Sequence, residues 1–231
     1  MREIVLDTET TGLDPLDGHR LVEVGCVELV NRIPSGQTFH AYFNPERGMP
    51  AEAFAVHGLS EEFLKDKPFF GEKADDLIGF LGDAPLVIHN ASFDLGFLNA
   101  ELDRAGRPPI ARERLVDTLL IARRKHPGGS NRLDDLCLRY AIDNSRRTKH
   151  GALLDAELLA EVYVELIGAR QAQLVLSQAA TPSLAIGMPI IVRQRTVPLL
   201  IAVTEDDRAA HQAFVATLGE NAIWRDYLSS N

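Results

Sequence analysis

The chain has 231 residues, 45% of them hydrophobic and 25% charged, which fits a globular protein of one large domain plus an appendage rather than a disordered or fibrous one. Its formal net charge of −9 excludes a protein that grips nucleic acid by broad positive charge; an anionic substrate would have to be met by bound cations or delivered by a partner. No apolar run is long enough for a signal peptide or a membrane span, so the expected compartment is the cytoplasm, with no membrane partner.

Ile4-Val5-Leu6 is a continuous apolar run that predicts a buried strand, and Thr10 to Pro15 reads as a turn. Leu21 to Val30 and Thr38 to Phe43 are rich in β-branched and aromatic residues, with Ile33-Pro34-Ser35-Gly36 between them. Together with the first strand they predict a three-stranded antiparallel unit. Helical spacing runs from Phe69 to Leu81 and stops at Gly82; Leu86-Val87-Ile88 is another short strand. Further helices are predicted over Phe93 to Leu102, Leu119 to Lys125, Leu133 to Tyr140 and Ala152 to Ile167, with a short strand at Leu115 to Asp117. Cys26 and Cys137 both lie in apolar runs and read as buried free thiols. Residues 177–191 carry no charged side chain and hold Thr181-Pro182, Gly187 and Met188-Pro189, a linker composition. Beyond it, a strand-like piece (Val197 to Val203) and a helix-like piece (Asp206 to Leu218) form a small tail. The domain before the linker is therefore α/β with a mixed sheet.

Three short motifs concentrate acidic residues at the ends of strands or the starts of helices. In Asp7-Thr8-Glu9, a strand would point Asp7 and Glu9 to one face, where like charges are tolerated if a cation lies between them. The alternative is that the strand ends at Leu6 and both acids are solvated. In His89 to Asp94, Asn90 or Ser92 could cap a helix and Asp94 would favour its N-terminus. In His150 to Asp155, the acid lies on the packing side of a helix; the histidine joins it only if it precedes the helix, which Gly151 permits. Four hard carboxylates with one imidazole and no thiolate select Mg²⁺ or Mn²⁺, and a pair of such ions clamps the attacking and leaving oxygens of a phosphodiester.

In this order the motifs resemble those of the DEDDh 3′→5′ exonucleases, over most of residues 1–168. The stretches Ile4 to Gly12, Glu52 to Gly58 and Arg146 to Asp155 are most similar to the proofreading subunits of bacterial replicative polymerases. The resemblance implies a ribonuclease H-like α/β fold, with a five-stranded mixed sheet flanked by helices and a small C-terminal tail. It implies two divalent cations held by Asp7, Glu9 and Asp155, with Asp7 bridging and Asp94 completing the shell partly through water. His150 would be the general base, and a single-stranded 3′ end of DNA the substrate. Glu52 would bind the 3′ hydroxyl and His57 would lie near the terminal nucleotide, although His57 also reads as a loop residue capping a turn at Gly58. Thr8, Thr10 and Thr11 would line the sugar pocket. The clusters Arg123-Arg124-Lys125 and Arg146-Arg147-Lys149 could contact phosphates or be solvated faces.

The resemblance also divides the chain into an exonuclease domain (1–170), a clamp-binding motif with linker (171–189) and a polymerase-binding segment (190–231). Gln171, Leu174 and Leu176 resemble the peptide by which replication proteins dock on the sliding clamp; the same stretch also reads as the end of the last helix. Leu199, Leu200, Phe214 and Trp224 would anchor the tail on the polymerase subunit. Two rivals remain open: an RNA-trimming enzyme of the same fold, and a non-catalytic scaffold.

Overall fold

The computed structural model describes residues 1–147, 149–169 and 203–219. The chain divides into two units, 1–175 and 176–231. The described part of the first unit is built on one five-stranded sheet in the order β3-β2-β1-β4-β5. Its strands are β1 (Arg2–Thr10), β2 (Leu21–Val30), β3 (Ile33–Tyr42), β4 (Leu86–Ile88) and β5 (Leu115–Asp117). β1, β2 and β3 form an antiparallel meander; β4 runs parallel to β1, and β5 parallel to β4. The sheet is therefore mixed, as predicted.

Alternation along β1 assigns its two faces. Ile4 and Leu6 join Val24, Cys26, Leu86 and Ile88 in the core shared with helices α3 (Phe70–Leu81) and α4 (Ala91–Arg104). Val5 packs on the opposite face with Val27, Leu29 and Val87 against helix α7 (Ala152–Leu166), through Ala156, Leu159, Ala160 and Tyr163. Helices α5 (Thr118–Lys125) and α6 (Leu133–Tyr140) extend this layer and pack with α7 through Ala122, Leu136, Cys137, Leu158 and Val162. Both cysteines are buried and free, and burial pushes the Cys26 thiol far above its ordinary value.

Gly25 on β2 lets α7 approach this closely. A Cβ there would stand 2.2 Å from the Leu153 nitrogen and 2.3 Å from the Ala152 carbonyl carbon, backbone atoms that cannot swing away. Gly25→Ala should therefore cost at least about 1–3 kcal/mol in urea unfolding, the usual penalty of overpacking, because the first turn of α7 must lift off the sheet.

Three features differ from the prediction. β1 continues past Leu6 to Thr10 because β2 pairs it residue by residue, Asp7 with Gly25 and Glu9 with Glu23; the solvated-turn reading of the two acids is thereby overturned. Ile33 to Gly36 belongs to β3, and the reversal sits instead at Asn31 and Arg32, both with positive φ. Two short helices escaped the sequence reading, α1 (Ala51–His57) and α2 (Glu61–Leu64). In the second unit, helix α8 (Glu205–Thr217) matches the predicted helical piece and opens on a Thr204–Asp207 capping box. Phe214, on α8, is exposed. The clamp motif, the linker, Leu199, Leu200 and Trp224 lie outside the described residues.

Candidate active site

The three acidic motifs converge. Asp7 and Glu9 lie on the α7 side of the sheet near the end of β1. Asp155 comes down from the first turn of α7, where the helix dipole favours its charge, and is 2% exposed. Asp94 arrives from the other side of the sheet, in the first turn of α4, and its Oδ1 accepts a 2.7 Å hydrogen bond from Thr8 Oγ1. Asn90 caps α4 without a side-chain hydrogen bond and adopts a left-handed conformation (φ 67°), so neither Asn90 nor Ser92 acts as the side-chain cap the sequence suggested. All four acids and His150 line one cleft of about 940 Å³.

His150 precedes α7, with Gly151 extended between them, which is the arrangement the sequence required. Oxygen or nitrogen atoms of Glu9, His150 and Asp155 all fall within 4.8 Å of one another, a group able to hold a metal ion. Asp7 lines the same cleft and is half-buried. Burial raises its carboxyl well above the ordinary value, reinforced by the charges of Asp94, Glu9 and Asp155. Burial and neighbouring acids push Glu9 up to about 8, and burial takes Asp94 to about 7 against the Thr8 hydrogen bond. Carboxylates crowded in this way lack counter-charge, and hard oxygen donors of this kind fit divalent cations.

Arg147 is the residue that the sequence reading misplaced. It neither contacts solvent as a surface cluster would nor stands free for a phosphate: its side chain is 7% exposed. Nε and Nη2 grip both oxygens of Asp155 at 2.6 and 2.7 Å, and Nη1 reaches Asp134 at 2.6 Å. Nη2 also lies 2.7 Å from Nδ1 of His150. An arginine only donates, so Nδ1 accepts there, and its 3.1 Å approach to Asp155 Oδ2 cannot be a second bond through the same lone pair. Burial alone would raise Asp155, but the hydrogen bonds and charge of Arg147 outweigh it and hold the carboxyl below its ordinary value. Removing one partner of a buried pair strands the other. Arg147→Gln should lose about 3–5 kcal/mol in urea unfolding with chelator present, and added Mn²⁺ should restore part of it.

A second cavity of about 510 Å³ adjoins the first, and the two share Thr8, Glu9 and Phe93. Thr10, Thr11, Glu52 and His57 line it. The threonine hydroxyls are already committed, Thr10 to the Gly12 carbonyl (2.6 Å) and Thr11 to the Arg20 amide (2.9 Å). His57 ends α1 and is buried, and the left-handed Gly58 caps the helix. Its Nδ1 accepts from the Leu59 amide at 3.0 Å, and Nε2 has no hydrogen-bond partner among the described residues. Burial lowers its basicity. Phe93, on the wall of both cavities, gave no signal in the sequence beyond helical spacing. Another buried acid, Glu23, faces Glu9 across the strands and is held by His40 Nε2 at 2.7 Å.

Residues 4–163 match the exonuclease family. The chain is 48% identical to the DNA polymerase III subunit epsilon of Rickettsia conorii over 227 residues, covering 96% of this chain and 98% of that one. It is 43% identical to the Escherichia coli K12 subunit of the same name, with 97% of each covered. Among solved structures, exonuclease X in complex with 5′-overhanging duplex DNA superposes with a TM-score of 0.55 at 25% identity, covering 72% of this chain and 91% of that one. The nuclease domain of 3′hExo, a DEDDh family member bound to rAMP, shares the fold with a TM-score of 0.60 at 18% identity, covering 73% and 92%. With the acidic cleft on this fold and relatives matched along nearly their whole length, the chain belongs to the exonuclease family, in the branch of the DNA polymerase III epsilon subunits, and is a 3′→5′ exonuclease.

Proposed function

We propose that the enzyme removes mispaired nucleotides from the 3′ end of DNA as nucleoside 5′-monophosphates, with Asp7, Glu9, Asp94 and Asp155 holding two divalent cations, Mg²⁺ or Mn²⁺. The convergence of four carboxylates, three of them buried, with one exposed imidazole in a single cleft carries this reading. When bound, the ions would supply charge stabilisation at the phosphodiester and acidify the attacking water. The protein's own part is distributed over named groups. His150 takes the proton of that water. Thr8 keeps Asp94 oriented, and Arg147 does the same for Asp155. Glu52 and His57 receive the terminal nucleoside in the adjoining cavity, where the unpartnered Nε2–H of a neutral His57 is a ready donor, and Thr10 and Thr11 form its wall. A mispaired end unpairs at less cost and so reaches the cleft more often.

The acidic chain would meet DNA through its partners. Residues 190–231 would bind the polymerase III alpha subunit, and Gln171, Leu174 and Leu176 the sliding clamp, giving the tethered 3′ end a high local concentration. No helix among the described residues is long and apolar enough to cross a membrane, and a replication subunit would work in the cytoplasm. The test is hydrolysis of 5′-labelled DNA duplexes with a matched or mismatched 3′ end, beside RNA of the same sequence. Faster removal of the mismatched DNA terminus is expected. Preference for RNA would sink the reading in favour of RNA trimming.

A further inference from the structure

The cleft around the acids is larger than one phosphodiester needs, and part of its lining has a different character. Arg123 on α5 and Arg132 at the start of α6 line it together with His89 and Asn131, and neither arginine lines the adjoining cavity. Both are exposed, and among the described residues neither makes an ion pair. The neighbouring cations are already spent. Arg147 is held by Asp155 and Asp134, Lys125 donates to the Glu165 and Leu166 carbonyls at 2.7 and 3.0 Å, and Arg124 bonds the Leu120 carbonyl at 3.3 Å. In a chain of net charge −9, two uncommitted guanidiniums on the wall of the acidic cleft call for an anion.

The relation between the two cavities gives that anion a direction. They meet at Thr8, Glu9 and Phe93. A strand whose last nucleoside fills the cavity of Glu52 and His57 crosses the acids with its terminal phosphodiester, and its preceding backbone enters the larger cleft. We infer that Arg123 and Arg132 form a binding site for the phosphates immediately 5′ of the bond being cut, so that the enzyme holds the strand it shortens by its backbone and without reading its bases. The inference rests on the exonuclease reading above. It explains how an acidic protein holds a polyanion close to four carboxylates: positive charge is concentrated where the strand leaves the acids.

The test compares the full-length parent with Arg123→Gln, Arg132→Gln and the double variant on two substrates, with Mg²⁺ present. One is a 5′-labelled oligothymidylate; the other is the p-nitrophenyl ester of thymidine 5′-monophosphate, which has no preceding phosphate. The ratio of kcat/KM on oligomer to that on ester should fall several-fold in each single variant and further in the double, mainly through KM. The slope of log KM against log salt should flatten by about 0.7 per arginine lost, the value for single strands. An unchanged ratio and slope in the double variant would overturn the site. Equal losses on both substrates would do so too, since the arginines would then act on the catalytic cluster itself. If the parent cleaved neither substrate, the exonuclease reading would fall first and this inference with it.

Discussion

Replacing Asp7 with asparagine should abolish hydrolysis and, in the same protein, raise stability. The two effects have one cause. Asp7 stands among three other acids, and burial with their repulsion pushes its carboxyl well above the ordinary value, as burial pushes Glu9 to about 8 and Asp94 to about 7. Groups raised in this way bind more protons in the folded chain than in the unfolded one, where carboxyls titrate near ~4. In chelator, stability is therefore full below pH ~4 and declines as the pH rises through ~7 to 8, the opposite of the ordinary salt-bridged carboxylate. A tenfold gain in proton affinity on folding is worth ~1.4 kcal/mol, so the cluster costs the metal-free protein a few kcal/mol at about pH 8. Asp7→Asn removes one charge from it. Urea unfolding in chelator should show the variant more stable than its parent at about pH 8, with the gap closing by about pH 5. A divalent ion should stabilise the parent strongly and the variant weakly. Turnover should fall by more than the ~10²–10⁴ typical of losing a general base, because one of the charges proposed above to hold the ions is lost. A variant less stable than its parent in chelator at that alkaline pH would contradict this account of the cluster.

What the sequence revealed of this site, and what it concealed, divides between local and non-local causes. Alternation in Asp7-Thr8-Glu9 is local, and it correctly placed the two acids on one face. Whether the strand extended that far depended on β2, whose Gly25 and Glu23 pair with them. The Gly151 break is also local, and it correctly set His150 ahead of α7. Arg147 is the counter-example. In the sequence it sits in a basic run like any surface cluster, and only the arrival of Asp134 from α6 and Asp155 from α7 turns it into a buried cation. Helix α1 has seven residues, follows Pro50 without a side-chain cap and is too short for periodicity to register, so Glu52 and His57 were found by resemblance alone. Phe93 lay hidden because a core aromatic and a wall of two cavities look alike at helical spacing.

His150→Ala should lower kcat by ~10²–10⁴, the usual contribution of a positioned general base, while leaving stability within ~0.5 kcal/mol of the parent. The small stability effect follows from place: the side chain is 47% exposed, precedes α7 and fills no core. The size of the kinetic effect depends on which of two roles the ring plays, and the geometry allows both to be stated. A ring nitrogen lies within 4.8 Å of carboxylate oxygens of Glu9 and Asp155, close enough to share an ion with them, as a ligand would. The ring is also an exposed imidazole beside the acids, while Nδ1 accepts from Arg147, a contact that a bound ion would compete with only if the ring were a ligand. A base and a ligand part company on ion affinity. If His150 is the base, Mn²⁺ binding followed by calorimetry or by loss of the free-ion spin-resonance signal should stay close to that of the parent while turnover collapses. If it is a ligand, the two should fall together. The four carboxylates supply enough oxygen donors for the ions on their own, and an imidazole half in water is better placed to accept a proton than to anchor a cation that acids already surround. Retained ion affinity with collapsed turnover is therefore the expected result, and a parallel loss of both would move His150 from proton acceptor to ligand.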